Sequence, residues 1–301
     1  MPPTMHGSLS RRRFLGLAGA ASGAIALGAC GSGASGSSEF DDVGSMIGMF
    51  PPDGTTLRTG IPQRTPFLLS DAQGAFMRTV PETLEITVTH LDEATGFTVE
   101  AVAHGDGIPI PYYPVTFTPE RAGNYRAVAR VGGRELEHNF MISDPQNVAL
   151  VQPGEAAIPV ETPTIDDHRG VDPICTRDEQ CPFHEVTLAE ALTLGKPTVL
   201  LIATPGYCQT TACAPATDLL VDQLAGRNDL AVVHAEVYVD PEGADGVGFG
   251  EATEVLSKYR MDFEPSLYTF DASGITRARL DYVMDGAEMR EAIELAIAGT
   301  G

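Results

Sequence analysis

Apolar and polar residues alternate with a period of two through much of the chain between residues 64 and 142. This period turns one face of each segment toward a core and the other toward solvent, so it predicts β-strands. The sequence V-G-G-R at residues 131–134 interrupts the alternation with two glycines, which are typical of a tight hairpin turn. These features predict an all-β domain, assigned to residues 55–145. The clearest strand segments are residues 84–90, 97–102 and 125–131.

The periodicity changes at about residue 186. Residues 197–203 form an apolar run of strand length, which is typical of a buried central strand, and segments of helical length lie on either side. The predicted order is helix, strand, helix, strand, helix, strand, strand, helix, and it indicates an α/β domain over residues 186–301. The helices are expected at residues 186–194, 214–224, 251–259 and 286–298, and the other strands at 231–239, 267–270 and 276–282, the last two pairing across residues 271–274.

A proline-rich connector, residues 146–185, joins the two domains. An irregular segment of this length is unusual unless it packs on a domain, so we expect it to wrap one of them. A disulfide between Cys175 and Cys181 would close a short loop at small entropic cost, and we therefore predict this pairing. Pairing of either residue with Cys208 or Cys213 is the alternative, and it would lock the connector over that second pair.

The charge balance limits the classes of partner. The chain has 19 Lys and Arg against 41 Asp and Glu, a formal net charge of −22, which excludes a basic surface for nucleic acid. Tryptophan is absent, which weighs against sugar and choline sites. With 301 residues, of which 43% are hydrophobic, the composition is that of a globular protein of about two domains.

The N-terminus has the features of an export signal. The sequence S-R-R-R-F-L at residues 10–15 resembles the twin-arginine motif, and the uncharged segment 16–29 is too short to span a bilayer. L-G-A-C at residues 27–30 resembles a bacterial lipobox, which implies removal of residues 1–29 and lipidation of Cys30. Residues 30–54 would then be a flexible tether. The resemblance predicts an exported protein, lipid-anchored to the outer face of the cytoplasmic membrane; an ordinary signal peptide with an incidental cysteine is the alternative.

The all-β domain contains one further local motif. A-G-N-Y at residues 122–125 resembles the tyrosine corner of immunoglobulin-like sandwiches. In those domains a cysteine follows two residues after the tyrosine, whereas this chain has Ala127. The resemblance therefore implies an immunoglobulin-like sandwich without its disulfide, a module that usually serves adhesion, spacing or docking.

The α/β domain resembles the thioredoxin fold. The sequence T-P-G-Y-C-Q-T-T-A-C at residues 204–213 follows the first core strand, where thioredoxins carry W-C-x-x-C, and E-P-S at residues 264–266 stands where the family has its cis-proline. The resemblance implies that Cys208 attacks a disulfide, that Cys213 resolves the mixed disulfide and that Pro265 supports the substrate. The whole layout resembles exported thioredoxin-domain lipoproteins of high-GC bacteria.

The spacing of the two cysteines departs from the family, because it is C-x4-C and Tyr207 replaces the usual Trp. On one continuous helix, residues five apart have Cα atoms about 8–9 Å apart, beyond the limit of about 7 Å for a disulfide. Residues 209–212 must therefore loop, or the helix must locally unwind. A position at a helix N-terminus would lower the pKa of Cys208 through the helix macrodipole and make its thiolate nucleophilic.

Three alternatives compete with thiol–disulfide exchange. The motif also resembles the T-P-G-C-T-x-x-A-C segment of some peroxiredoxins, which implies a thiol peroxidase. In the second alternative, both cysteine pairs form purely structural disulfides in an oxidising compartment, which leaves a non-catalytic binding lipoprotein. A metal site would combine Cys208 and Cys213 with one of His168, His184 or His234. We predict exchange with an unknown protein thiol or disulfide partner, and we assign neither a cofactor nor a metal.

Overall fold

The computed structural model describes residues 40–208, 212–241 and 250–299. The signal sequence, Cys30 and the expected tether as far as residue 39 lie outside these residues. Every helix in the described ranges is too short or too polar to cross a bilayer. The strands are β1 (Val43–Gly48), β2 (Gln63–Asp71), β3 (Thr83–His90), β4 (Phe97–Val102), β5 (Tyr113–Phe117), β6 (Gly123–Val131), β7 (Arg134–Ile142), β8 (Thr198–Ile202), β9 (Ala231–Ala235), β10 (Ser266–Phe270) and β11 (Thr276–Asp281), and the helices are α1 (Leu188–Ala191), α2 (Cys213–Leu224), α3 (Glu254–Tyr259) and α4 (Gly286–Ala298).

Two antiparallel sheets form a β-sandwich in the first half of the described chain. One sheet has the order β1-β2-β5 and the other β4-β3-β6-β7. Side chains from both sheets share one core, in which alternate residues of β3 face inward as the period of two predicted. The β-rich first half is therefore confirmed. The largest buried core side chains include Phe67, Ile86, Tyr113 and Ile142.

Two local motifs of the sandwich agree with the sequence. The Tyr125 hydroxyl donates a hydrogen bond to the backbone oxygen of Arg121 at 2.7 Å, which is the contact that a tyrosine corner makes. The turn between β6 and β7 places Gly132 and Gly133 at φ values of +56° and +75°. Two successive residues in this left-handed region form the tight hairpin that glycine permits.

Strand β1 lies within the range that the sequence assigned to a flexible tether. It pairs antiparallel with β2 and buries Val43 and Met46 in the sandwich core. Its glycines made the segment resemble a loop, because Gly44 and Gly48 weaken the strand pattern. The expected tether thus ends, within the described residues, no later than the start of β1.

The second half of the described chain contains a four-stranded mixed sheet of order β11-β10-β8-β9. Strand β8 is parallel to β9 and antiparallel to β10, and all five of its residues are buried. Helices α2 and α4 cover one face of the sheet, and α1 and α3 cover the other. The predicted order of helices and strands is confirmed, and it places the end of β8 and the start of β10 side by side.

The connector wraps the mixed sheet, as expected. Its first part contributes Val148, Val151 and Val160 to the core beneath α1 and α3. Its second part contributes Cys175 and Cys181 to the core beneath α2 and α4. The connector therefore reaches both faces of the sheet and carries its cysteines into the interior.

Candidate functional site

A disulfide joins Cys208 to Cys213 just beyond the end of β8, with their Cα atoms 6.0 Å apart. Helix α2 begins at Cys213, so Cys208 lies outside the helix in the preceding turn. This arrangement avoids the separation of about 8–9 Å that one continuous helix would impose. The pair can close because Cys208 lies outside the helix that begins at Cys213; residues 209–211 lie outside the described ranges.

The helix start differs from the expectation for Cys208. Cys213, not Cys208, is the first residue of α2, so the macrodipole argument applies most directly to Cys213. The Cys213 side chain is fully buried, whereas Cys208 is partly exposed. Within the disulfide, Cys208 is therefore the more exposed residue.

Sequence reasoning missed Glu264, a titratable residue that lies beside the disulfide. One of its carboxylate oxygens and the sulfurs of Cys208 and Cys213 all lie within 4.8 Å of one another. Burial raises the pKa of Glu264 to about 7, although the backbone N–H of Thr204 donates a hydrogen bond to its Oε2 at 2.6 Å. Its only signal in the sequence is a carboxylate directly before Pro265. The Glu264–Pro265 peptide bond is cis.

The turn that carries Cys208 is held by backbone and side-chain hydrogen bonds. Thr204 Oγ1 accepts from the N–H of Val237 at 3.0 Å, and the N–H of Gly206 donates to Thr176 Oγ1 at 3.0 Å. A Cβ atom at Gly206 would lie 2.6 Å from the backbone oxygen of Thr176, so only glycine permits this close approach. Thr176 directly follows Cys175, and the turn therefore contacts the connector.

Cys175 and Cys181 are both thiols, and the predicted disulfide between them is not formed. Their sulfurs lie instead with the imidazoles of His184 and His234 in one buried group, which we call the Cys2His2 cluster. The disulfide prediction rested on loop length alone. It took no account of His234, because that residue lies more than fifty positions away in β9.

The donor atoms of the Cys2His2 cluster are closely grouped. Cys181 Sγ lies 3.3 Å from His184 Nε2 and 3.3 Å from His234 Nδ1, and Cys175 Sγ lies 3.8 Å from His234 Nδ1. His234 Nε2 lies 3.0 Å from the backbone oxygen of Ala203. Because a carbonyl only accepts, Nε2 carries a proton, and the other ring nitrogen, Nδ1, faces the two sulfurs.

The cluster shifts the pKa values of the two thiols in opposite directions. A hydrogen bond from Cys181 lowers the pKa of Cys175, and the same interaction, together with burial, raises the pKa of Cys181. Burial lowers the pKa of His184, so its imidazole is neutral. Because the four residues are at most 7% exposed, an unpaired thiolate in this cluster would be poorly solvated.

The metal alternative considered from the sequence grouped the wrong residues. Within the described ranges, Cys208 and Cys213 are grouped with Glu264, whereas His184 and His234 are grouped with Cys175 and Cys181. His168 is exposed and belongs to neither group. Spacing along the chain could not reveal this pairing, because His234 joins the cluster only through the fold of the sheet.

A shallow cleft of about 260 Å³ lies beside Glu264. Its walls are aromatic, aliphatic and acidic. They are formed by α3 and by the segments that follow β9, precede β10 and follow β11. The lining residues are Val237, Tyr238, Leu256, Asp262, Phe263, Glu264 and Tyr282. The cleft therefore lies next to the carboxylate that neighbours the disulfide.

No protein-family model matches the chain, and no curated protein matches it either. Among solved structures, a mutant of Salmonella alpha-2-macroglobulin aligns over 40% of this chain and 7% of its own, with 20% identity and a TM-score of 0.25. Salmonella alpha-2-macroglobulin reacted with methylamine aligns over 80% and 15%, with 14% identity and a TM-score of 0.25. Titin M4 aligns over 34% and 97%, with 11% identity and a TM-score of 0.21. All three TM-scores are low, and none of these alignments bears on function.

Proposed function

We propose that this protein is an exported, membrane-anchored, thioredoxin-like thiol–disulfide oxidoreductase that acts through Cys208 and Cys213. The observation that carries the proposal is a disulfide between one partly exposed and one buried cysteine, set beside a buried carboxylate whose pKa is raised to about 7 by burial. Exchange enzymes need an accessible sulfur for the partner and a second thiol nearby to release it. The export signal and the lipobox support the location.

The placement of the pair within the sheet supports a thioredoxin-like architecture. The disulfide follows the central strand β8, and Pro265 comes directly before β10, the neighbour of β8. Helices cover both faces of this mixed sheet. These are the positions at which the sequence resemblance expected the reactive cysteines and the proline. For the sandwich, the tyrosine-corner contact of Tyr125 supports an immunoglobulin-like spacer or docking module.

The proposed reaction assigns each cysteine a separate step. The thiolate of Cys208 attacks one sulfur of a partner disulfide, forming a mixed disulfide and releasing the partner's other sulfur as a thiolate. The thiol of Cys213 then gives its proton to Glu264 and attacks the Cys208 sulfur, which expels the second partner thiolate. Two electrons pass to the partner, and the Cys208–Cys213 disulfide is left in the protein. In the opposite direction a partner thiolate attacks Cys208 of that disulfide.

The test is trapping of the mixed disulfide. The reduced Cys213→Ser variant, incubated with glutathione disulfide, should accumulate one glutathione at Cys208, because no neighbouring thiol can resolve it. The reduced wild type should instead return to the Cys208–Cys213 disulfide, and Cys208→Ser should accumulate far less adduct. Intact-protein and peptide mass spectrometry measure all three species.

Two results would reject this function. If both cysteines of the reduced wild type react only after denaturation, the disulfide is structural and the domain is a non-catalytic binding module. If the reduced protein reacts with hydrogen peroxide much faster than with glutathione disulfide, the thiol peroxidase alternative replaces exchange.

A further inference from the structure

The Cys2His2 cluster lies in the interior, behind the turn that carries Cys208. Its four residues are at most 7% exposed. It is separate from the Cys208–Cys213 disulfide, and the proposed exchange reaction does not use it. Two soft sulfur donors and two imidazoles are the ligand set that selects zinc in tetrahedral protein sites.

We propose that Cys175, Cys181, His184 and His234 together bind one structural zinc ion. Tetrahedral bond lengths of about 2.3 Å to sulfur and about 2.0–2.1 Å to nitrogen place sulfur and nitrogen donors about 3.6 Å apart. Three of the four sulfur–nitrogen separations in the cluster are 3.3, 3.3 and 3.8 Å. All four donor atoms lie within 4.8 Å of one another, so small adjustments bring them onto one ion.

The backbone orients His234 for this role. Its Nε2–H donates to the oxygen of Ala203 at 3.0 Å, which leaves the Nδ1 lone pair directed at the sulfurs. Histidines that bind zinc usually donate their other ring N–H in this way, and the contact fixes the tautomer and the ring orientation. The carbonyl belongs to Ala203, the residue directly after β8, so the end of the central strand places the acceptor that orients the ligand.

Charge balance also favours a divalent cation. Binding of Zn²⁺ by two thiols and two neutral imidazoles releases two protons and leaves a site without net charge. A neutral site suits an interior position, whereas an isolated thiolate would be costly there. All four coordination positions come from protein, so no position is left for a substrate, as in structural zinc sites.

The zinc ion would anchor the connector. Cys175, Cys181 and His184 come from the connector, and His234 comes from strand β9. The ion would therefore perform the crosslinking that the sequence assigned to a Cys175–Cys181 disulfide. Thr176, next to the first ligand, accepts the hydrogen bond from Gly206, so the same crosslink supports the turn that carries Cys208.

The experiment compares zinc binding by the full chain and by two matched double variants. Cys175→Ser/Cys181→Ser removes the thiols of the cluster, and Cys208→Ser/Cys213→Ser removes the same number of sulfurs elsewhere. Metal analysis by mass spectrometry and Zn²⁺ titration against a chromophoric chelator give stoichiometry and affinity. Co²⁺ titration reports tetrahedral thiolate ligation through its visible absorption.

The wild type and the Cys208/Cys213 variant should each bind one zinc ion per chain, and zinc should raise the thermal midpoint of both. The Cys175/Cys181 variant should lose at least about 100-fold in affinity. A second variant, His184→Gln, keeps both thiols and tests the site even if the double variant does not fold. It should also weaken zinc binding and abolish the tetrahedral Co²⁺ spectrum. A metal-free wild type in which peptide mapping finds a Cys175–Cys181 disulfide would overturn the proposal, as would copper in place of zinc or equal zinc binding by all variants.

Discussion

Glu264 is a buried carboxylate that lies beside the cysteines of the proposed exchange reaction. It is 8% exposed, and burial raises its pKa to about 7. The charged groups facing it include Glu236, which raises its pKa further, and His234, which lowers it. A carboxylate that titrates near neutral pH can take up and return a proton at the pH where thiols exchange, as general bases do.

Replacing Glu264 by Gln should slow the resolution of the mixed disulfide by about 10- to 100-fold at pH 7, because the base is lost. The amide oxygen can still accept the hydrogen bond from Thr204, so the turn should persist. Quenched-flow mass spectrometry of adduct decay at a series of pH values measures the rate. The pH profile of this rate should lose its inflection near pH 7 in the variant.

An unchanged rate and pH profile in E264Q would exclude Glu264 as the proton acceptor. The matched control is Glu254→Gln, on the exposed side of α3.

The same substitution tests the sign of the pKa shift. Burial raises the folded-state pKa of Glu264 above its ordinary value of 4.5, so the folded protein holds this proton more tightly than the unfolded chain. The free energy of unfolding should therefore fall as pH rises from about 4.5 to about 7. Urea unfolding should show a smaller fall for E264Q than for the wild type.

At the scale of elements, helix α4 is joined to the sandwich by a buried polar network. Arg64 of β2 donates to both carboxylate oxygens of Glu288, at 2.8 and 2.6 Å, and Tyr112 also donates to Glu288. Asp285 caps α4 by accepting from the N–H of Glu288 at 2.9 Å, and it also accepts from the N–H of Gly105 at 3.0 Å. The first turn of α4 thus fixes the helix to a strand and a loop of the sandwich.

Replacing Arg64 by Met should lower the free energy of unfolding by about 3–5 kcal/mol, because the Glu288 carboxylate would remain buried without its positively charged partner. Arg64 and Glu288 side chains are 10% and 11% exposed. The matched control is Arg130→Met, whose ion pair with Glu135 is 78% and 56% exposed, and the expected change there is below about 1 kcal/mol. Urea unfolding measures both. Equal losses in the two variants would show that burial of the Arg64 pair does not determine its contribution.

At the scale of the whole molecule, the proposed location depends on the N-terminal segment outside the described residues. An acidic protein with a net charge of −22 is repelled by anionic lipid headgroups, so an attachment to the membrane needs an anchor. The lipobox-like sequence would supply one at Cys30, and the twin-arginine-like motif would supply the export route that we propose. The sandwich and the mixed sheet would then face the compartment outside the cytoplasmic membrane.

Replacing Cys30 by Ala should release the protein from membranes, because the lipidated residue is lost. Replacing Arg11 and Arg12 by Lys should leave the protein in the cytoplasm, because the twin-arginine motif is disrupted. Fractionation and immunoblotting of the bacterial cells measure both outcomes. If the double-lysine variant is exported normally, the protein uses the general secretory route; if C30A remains in the membrane fraction, Cys30 is not its anchor.

The sequence by itself determined the elements whose signal is periodic and local. Alternation predicted β3, β4 and β6, the apolar run predicted β8, and two adjacent glycines predicted the β6–β7 turn. These predictions hold because side-chain period and backbone preference act within a few residues. The position of Cys208 after β8 followed from the same local order.

Only the tertiary structure decided which side chains meet. It placed Glu264 beside a disulfide more than fifty residues earlier in the chain, and it brought His234 to the two connector thiols. Part of the expected tether forms strand β1, because β2 supplies the hydrogen-bonding partner for its backbone. Each of these features depends on contacts between distant segments, for which neither spacing nor periodicity carries a signal, and burial then shifts the pKa values from which the chemistry follows.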